Sequence, residues 1–143
     1  MRYERSIHIA APPGVVWAVM NDVARWPEWT PSVRSVEVCE PGPLRVGFAA
    51  RLQVRGMPAA TWVVTELTEG RSFTWVTRTP GARSVASHAI EPGTNGCVVT
   101  LAVEVRGFGA VLLRPLVARA SRRNLRLEAE GLKQRAESLV VAR

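Results

Sequence analysis

The sequence predicts an α+β domain: a strand and two short helices, then a six-strand antiparallel meander, then a long C-terminal helix. Three observations carry this. Apolar and polar residues alternate in short segments up to Arg106, Gly and Pro separate those segments at brief intervals, and beyond Gly107 the period becomes helical.

Residues 3–10 set Tyr3, Arg5, Ile7 and Ile9 against Glu4, Ser6 and His8, the period of two of a half-buried strand. Pro12-Pro13-Gly14 ends it. Prolines open a helix readily, because the first-turn N–H groups have no intrahelical partner to lose. Val15, Val16, Trp17, Val19 and Met20 then fill about two turns before Asn21-Asp22. Asp22 is placed to cap a second short helix that Pro27 limits. Trp17, Trp26 and Trp29, three of the five tryptophans, crowd this stretch beside Pro27 and Pro31. An indole is bulky and needs a partner for its N–H, so the cluster marks a structured corner and not a flexible loop.

Strands are expected at 33–40, 46–55, 59–68, 72–79, 83–91 and 97–106. The segments between them, such as Pro41-Gly42-Pro43, Gly56-Met57-Pro58 and Pro80-Gly81, turn easily, and gaps this short favour hairpins over parallel crossovers. Along 46–55, Val46, Phe48, Ala50, Leu52 and Val54 alternate with Gly47, Ala49, Arg51, Gln53 and Arg55. Along 97–106, Val99, Leu101, Val103 and Val105 alternate with Thr100, Glu104 and Arg106. Each strand thus has one apolar face, which is either a filled core or the wall of a pocket.

From Phe108 to Val141 a long helix is expected, kinked by Pro115 or starting there. Leu113, Leu116, Val117, Ala120 and Leu127 share one side, with Asn124 among them, while Leu125, Ala129, Leu132, Ala136 and Leu139 lie about a third of a turn away. A buried amide at Asn124 needs partners, either the sheet's backbone or a ligand.

The 143 residues suit a single domain, 1–143, large enough for a core or a core with a cavity. No apolar run approaches the roughly 20 residues of a membrane span, and the N-terminus lacks a signal-peptide core, so a cytoplasmic protein is expected. Cys39 and Cys97 fit no metal or disulfide spacing and are expected as two buried thiols. The net charge of +7 comes from eighteen arginines and Lys133 alone, a ratio that fits a GC-rich coding bias. Arg119, Arg122, Arg123, Arg126 and Lys133 form a basic helix face, with Arg126–Glu130 and Lys133–Glu137 spaced as i, i+4 pairs, the pattern of a solvated surface. Without interleaved aromatics that face does not suit single-stranded nucleic acid, and no specific nucleic-acid partner is expected. Glycine-rich phosphate loops and metal-ligand sets are missing from the sequence, so neither cofactor nor metal is expected.

Ala10-Ala11-Pro12-Pro13-Gly14-Val15-Val16-Trp17, Asp22-Val23-Ala24-Arg25-Trp26-Pro27-Glu28-Trp29, His88-Ala89-Ile90-Glu91-Pro92 before Gly96, and Leu132-Lys133-Gln134-Arg135-Ala136-Glu137 resemble the polyketide cyclase/dehydrase branch of the START-like (SRPBCC) superfamily over essentially the whole chain. The resemblance implies a helix-grip fold, a curved seven-stranded antiparallel sheet wrapped around the C-terminal helix, with a cavity for an apolar ligand between them. Under this reading the tryptophan corner is the lid region, with Trp26 a rim residue, Trp17 an anchor and Trp29 a wedge.

The residues expected to face a ligand are Trp26, Phe48, Leu52, Val63, Thr65, Phe73, Trp75, His88, Leu101, Leu116, Ala120 and Asn124. Thr61 and Thr77 are further candidate hydroxyls, and Trp62, opposite Val63 and Thr65 in parity, is expected on the outer face, where an exposed indole could signal a dimer contact. His88 shares a face with Ala86 and Ile90, where imidazole could orient a carbonyl or move a proton, although no carboxylate or nucleophile is visibly paired with it. The expected function is a carrier or sensor for a hydrophobic, lipid-like or aromatic polyketide-like molecule, by a monomer or homodimer. The alternative is a cyclase or aromatase that uses the same cavity, with His88 as acid or base.

Overall fold

Antiparallel strands joined by short turns lie beside their sequence neighbours, and all but the first strand obey that rule. In a computed structural model, which describes residues 1–141, a seven-stranded antiparallel sheet has the order β1-β7-β6-β5-β4-β3-β2. Its strands are β1 (Arg2–Ile9), β2 (Val33–Val38), β3 (Ala49–Val54), β4 (Ala60–Thr68), β5 (Ser72–Thr79), β6 (Ala82–Gly93) and β7 (Gly96–Arg106). Between β1 and β2 the chain forms helix α1 (Pro13–Asn21) and a 3-10 helix (Val23–Glu28), which carry it from one sheet edge to the other. A short helix α2 (Phe108–Leu112) and the long α3 (Arg114–Val141) complete this helix-grip arrangement.

Several local expectations change. The long helix breaks at Leu113, so Pro115 sits in the first turn of α3, where its missing N–H costs nothing. Asp22 makes no capping hydrogen bond and instead lies 3.3 Å from the Arg25 guanidinium. β3 starts at Ala49, and Val46, in the preceding turn, is exposed. Cys39 is exposed because β2 ends at Val38, whereas burial of Cys97 under Ala11 pushes its thiol pKa up.

The C-terminal half of α3 is the anchored half. Leu125, Ala129, Leu132 and Ala136 are buried against the sheet and α1. Lys133 Nζ donates to the His8 carbonyl at 3.0 Å, and Glu137 accepts from Lys133 at 2.6 Å and from the Ala10 N–H at 2.8 Å. Those two donors, Lys133 first, hold the Glu137 carboxyl below the usual carboxylate range. Of the two expected i, i+4 pairs only this one forms among the described residues, where no ion pair joins Arg126 to Glu130. Gly131 lets the helix approach closely, since a Cβ there would overlap the Trp29 carbonyl oxygen.

Candidate functional site

With α3 held at its C-terminal half, its N-terminal half spans the concave sheet without filling it. The gap is a cavity of about 330 Å³, walled by β3 to β7 and roofed by α3. Apolar side chains form most of the wall, among them Leu52, Val54, Trp62, Trp75, Val103 and Val105. Such a lining binds by burial and leaves orientation to a few polar groups.

The polar groups gather at the deep end. His88, 3% exposed, stacks on its cross-strand partner Phe73 with ring centroids 4.1 Å apart and planes at 8°. Trp26 and Trp75 close around the same imidazole at 5.7 and 6.0 Å. The ring is therefore fixed in orientation. Its Nδ1 lies 3.4 Å from the Phe73 carbonyl, which can only accept, so the network places a proton on Nδ1. Its Nε2 lies 3.2 Å from Glu128 Oε1, leaving that nitrogen to exchange a proton with the carboxylate or with a ligand. Both residues face the cavity.

Toward the mouth, three segments form the rim: the β3–β4 turn at Gly56-Met57-Pro58, the β5–β6 turn at Thr79-Pro80, and α2 with the start of α3. Asn124 ties α3 to the first, its Nδ2 donating to the Arg55 carbonyl at 2.8 Å, while its buried Oδ1 has no protein partner. Ser84 and Ser121 add hydroxyls along the wall.

Of the expected site residues, Trp26, Leu52, Trp75, His88, Leu116, Ala120 and Asn124 lie on the cavity. Phe48, Phe73 and Leu101 are buried in the core and do not line it, Phe73 because the His88 ring covers it. Val63 and Thr65 point outward. On β4 the residues facing in are Ala60, Trp62 and Val64, and a register shift follows between Val64 and Glu66. Trp62 is accordingly buried against Trp75, at 5.7 Å, and is not an external dimer contact. Trp26 is no rim residue: 2% exposed, with its Nε1–H donated to the Met20 carbonyl at 3.0 Å, it forms the floor. The tryptophan corner thus closes the deep end, and the mouth lies elsewhere. Leu113 and Leu116, on the first apolar stripe of the helix, are exposed at that mouth, while the second stripe makes the core. Thr77 spends its hydroxyl on the Thr61 carbonyl at 2.7 Å, and that of Thr65 points to the Thr74 carbonyl.

Sequence reasoning missed Glu128. The signal was present: Ala120, Asn124 and Glu128 are spaced i, i+4, i+8, so a helix turning Asn124 to the sheet turns Glu128 with it.

A family model described as polyketide cyclase / dehydrase and lipid transport matches residues 1–137. A Streptomyces halstedii protein with the provisional name polyketide cyclase is 32% identical over 93 residues, 63% of this chain and 74% of that one. Among solved structures, the Zhui aromatase/cyclase from Streptomyces sp. R1128 superposes with a TM-score of 0.78 at 20% identity, over 98% of this chain and 95% of its own. A START superfamily protein from Mycobacterium smegmatis gives 0.73 at 15% identity, over 96% and 98%. At such identities these two structures establish a common fold.

Proposed function

Because the chain belongs to the polyketide cyclase/dehydrase and lipid transport family, we propose that it binds a hydrophobic small molecule, lipid-like or aromatic, in the cavity between sheet and α3. The observation that carries this is an apolar space of about 330 Å³ reached from one side and floored by Trp26 and Trp75. Aromatic walls suit a flat, ring-bearing ligand through offset and edge contacts. His88, Glu128 and the few hydroxyls then fix which end of the ligand points inward. Shielding such a molecule from water requires nothing more, and a carrier or sensor is the reading we favour.

Native mass spectrometry of the protein purified from its own host tests this. A retained small molecule that is missing from a cavity-filling Ala120→Trp variant supports it, and an empty wild-type protein under several growth conditions counts against it.

The contact between His88 Nε2 and Glu128 favours a second reading, acid–base chemistry on the bound molecule. An imidazole locked by stacking, with Nδ1–H held by the Phe73 carbonyl, can take a proton at Nε2 from a carbon beside a carbonyl and, through Glu128 beside that nitrogen, return it to an oxygen, as cyclisation with loss of water requires. The cavity would add the selection of one folded conformer of a flexible chain, a large effect in such reactions. If turnover of a polyketide substrate survives both His88→Ala and Glu128→Gln, the pair has no chemical role.

A further inference from the structure

Half of the exposed large hydrophobic residues crowd into one short stretch. Phe108, Val111, Leu112, Leu113 and Leu116 are 55–76% exposed, whereas Val46, Val63, Val98, Leu139 and Val141 are scattered over the surface. Isolated apolar residues on a surface need no explanation, but a contiguous set at the lip of a cavity does. The knuckle is held out firmly. The Gly109 N–H donates to the Gly81 carbonyl at 3.0 Å, and Gly107, at φ +123°, lies so close to that carbonyl that a Cβ would overlap it. Helix α2 is therefore pinned to the tip of the β5–β6 turn.

The charge around this lip has one sign. Asp and Glu are missing from residues 41–65, 70–90 and 105–127, the three stretches whose turns and helices form the mouth. Arg78, Arg83 and Arg106 sit directly opposite one another on β5, β6 and β7, all exposed, and of the three only Arg106 has a carboxylate partner, Glu104, among the described residues. Like charges placed directly across strands destabilise a sheet, so this row costs stability unless something anionic covers it. Arg114 and Arg119 extend the collar, exposed and without an ion pair among the described residues. Glu37, Glu40, Glu66, Glu69 and Glu91 lie at the opposite ends of their strands.

We propose that the cavity mouth docks on an anionic lipid surface, with Phe108, Val111 and Leu112 entering the apolar layer and the arginine collar meeting the lipid phosphates. Bulky apolar side chains on a projecting knuckle, flanked by arginines on the outer face of the sheet at the ends of β5, β6 and β7 and by Arg114 and Arg119 on α3, match an interface that is apolar inside and anionic outside. No described helix is long and apolar enough to cross a membrane, so the contact is peripheral. In this pose the mouth opens onto the lipid, and an apolar ligand enters or leaves without crossing water. The pose goes beyond the ligand-binding reading, and the following test contains no ligand, so each can fail alone.

The test is co-sedimentation of the full chain with vesicles of phosphatidylglycerol and phosphatidylcholine, or of phosphatidylcholine alone. The expected result is at least about tenfold tighter partitioning onto the anionic vesicles, weakening as salt rises from about 50 to about 500 mM. F108S/L112S should lower anionic-vesicle binding at least about tenfold with the melting temperature unchanged, and R78E/R83E should abolish the preference for anionic lipid. Equal binding to both vesicle types, or full binding by F108S/L112S, overturns the proposal. Dissociation of a dimer by F108S/L112S in light scattering, or binding to polyglutamate without binding to vesicles, also overturns it, assigning the knuckle to self-association or the collar to an acidic protein.

Discussion

Replacing Gly131 by alanine sets two known effects against each other. Alanine favours a helix interior over glycine by about 1 kcal/mol. At this position, however, the added Cβ overlaps the Trp29 carbonyl oxygen and lies 3.0 Å from the carbonyl carbon and 3.3 Å from the indole Cε3. Two of these three obstacles are backbone atoms, so no rotamer change relieves them. Either α3 or the corner after the 3-10 helix must move. Overpacking costs about 1–3 kcal/mol, and rigid neighbours put Gly131→Ala at the upper end, leaving a net loss of about 2 kcal/mol after the helix gain. For a chain of this length that is a fall of about 6–8 °C in melting temperature. Gly14→Ala is the control, because nothing lies within 4 Å of its Cβ position and it is already helical. That change should be neutral or raise stability by up to about 1 kcal/mol, through the unfolded chain. Differential scanning calorimetry of both variants decides the matter. A Gly131→Ala protein that melts at or above the wild-type temperature would refute the close approach of α3 to the tryptophan corner.

Strand parity on β4 makes Trp62→Ala cost about 3 kcal/mol, at the low end for an aromatic because the cavity already borders its ring, whereas exposed Val63→Ala should stay within about 1 kcal/mol in urea titrations. Glu137 titrates below the usual carboxylate range in the folded protein, so its stabilising contribution is complete above the unfolded value and disappears as pH falls through the folded one. Melting temperature should therefore fall on acidification, less steeply in Glu137→Gln than in wild type, and parallel curves would remove Glu137 from the account. A thiol reagent should label exposed Cys39 in the native protein and buried Cys97 only after denaturation, and equal rates would contradict the burial of Cys97.

Much of the architecture was legible because hairpin turns and alternation are local. Pro80-Gly81 and Gly56-Met57-Pro58 mark strand ends wherever the strands go, and once the meander is set the order of β2 to β7 follows. Faces were less legible. On β4 a valine and a threonine at 63 and 65 suit a sheet interior as well as Trp62 does, and only pairing to β3 and β5 decides which parity points in. The site was half legible for the same reason. His88 could be placed on the inward face from β6 alone, but its partner Glu128 comes from a helix some forty residues later, and its pairing depends on where α3 crosses the sheet. The mouth was hidden because Leu113 and Leu116 carry a core-like pattern, and the break at Leu113 turns the apolar side chains of α2 outward.

An apolar molecule should occupy the space between sheet and α3. Titration with the uncharged fluorophore N-phenyl-1-naphthylamine tests it directly, with energy transfer from the tryptophans as readout. Trp26, Trp62 and Trp75 line the cavity, so a probe bound there quenches them while its own emission rises. Binding should be saturable and one-to-one, and Ala120→Trp, filling the space from the helix side, should weaken it at least about tenfold without lowering the melting temperature by more than a few degrees. Undiminished binding by a folded Ala120→Trp protein, or no tryptophan quenching in wild type, would contradict it.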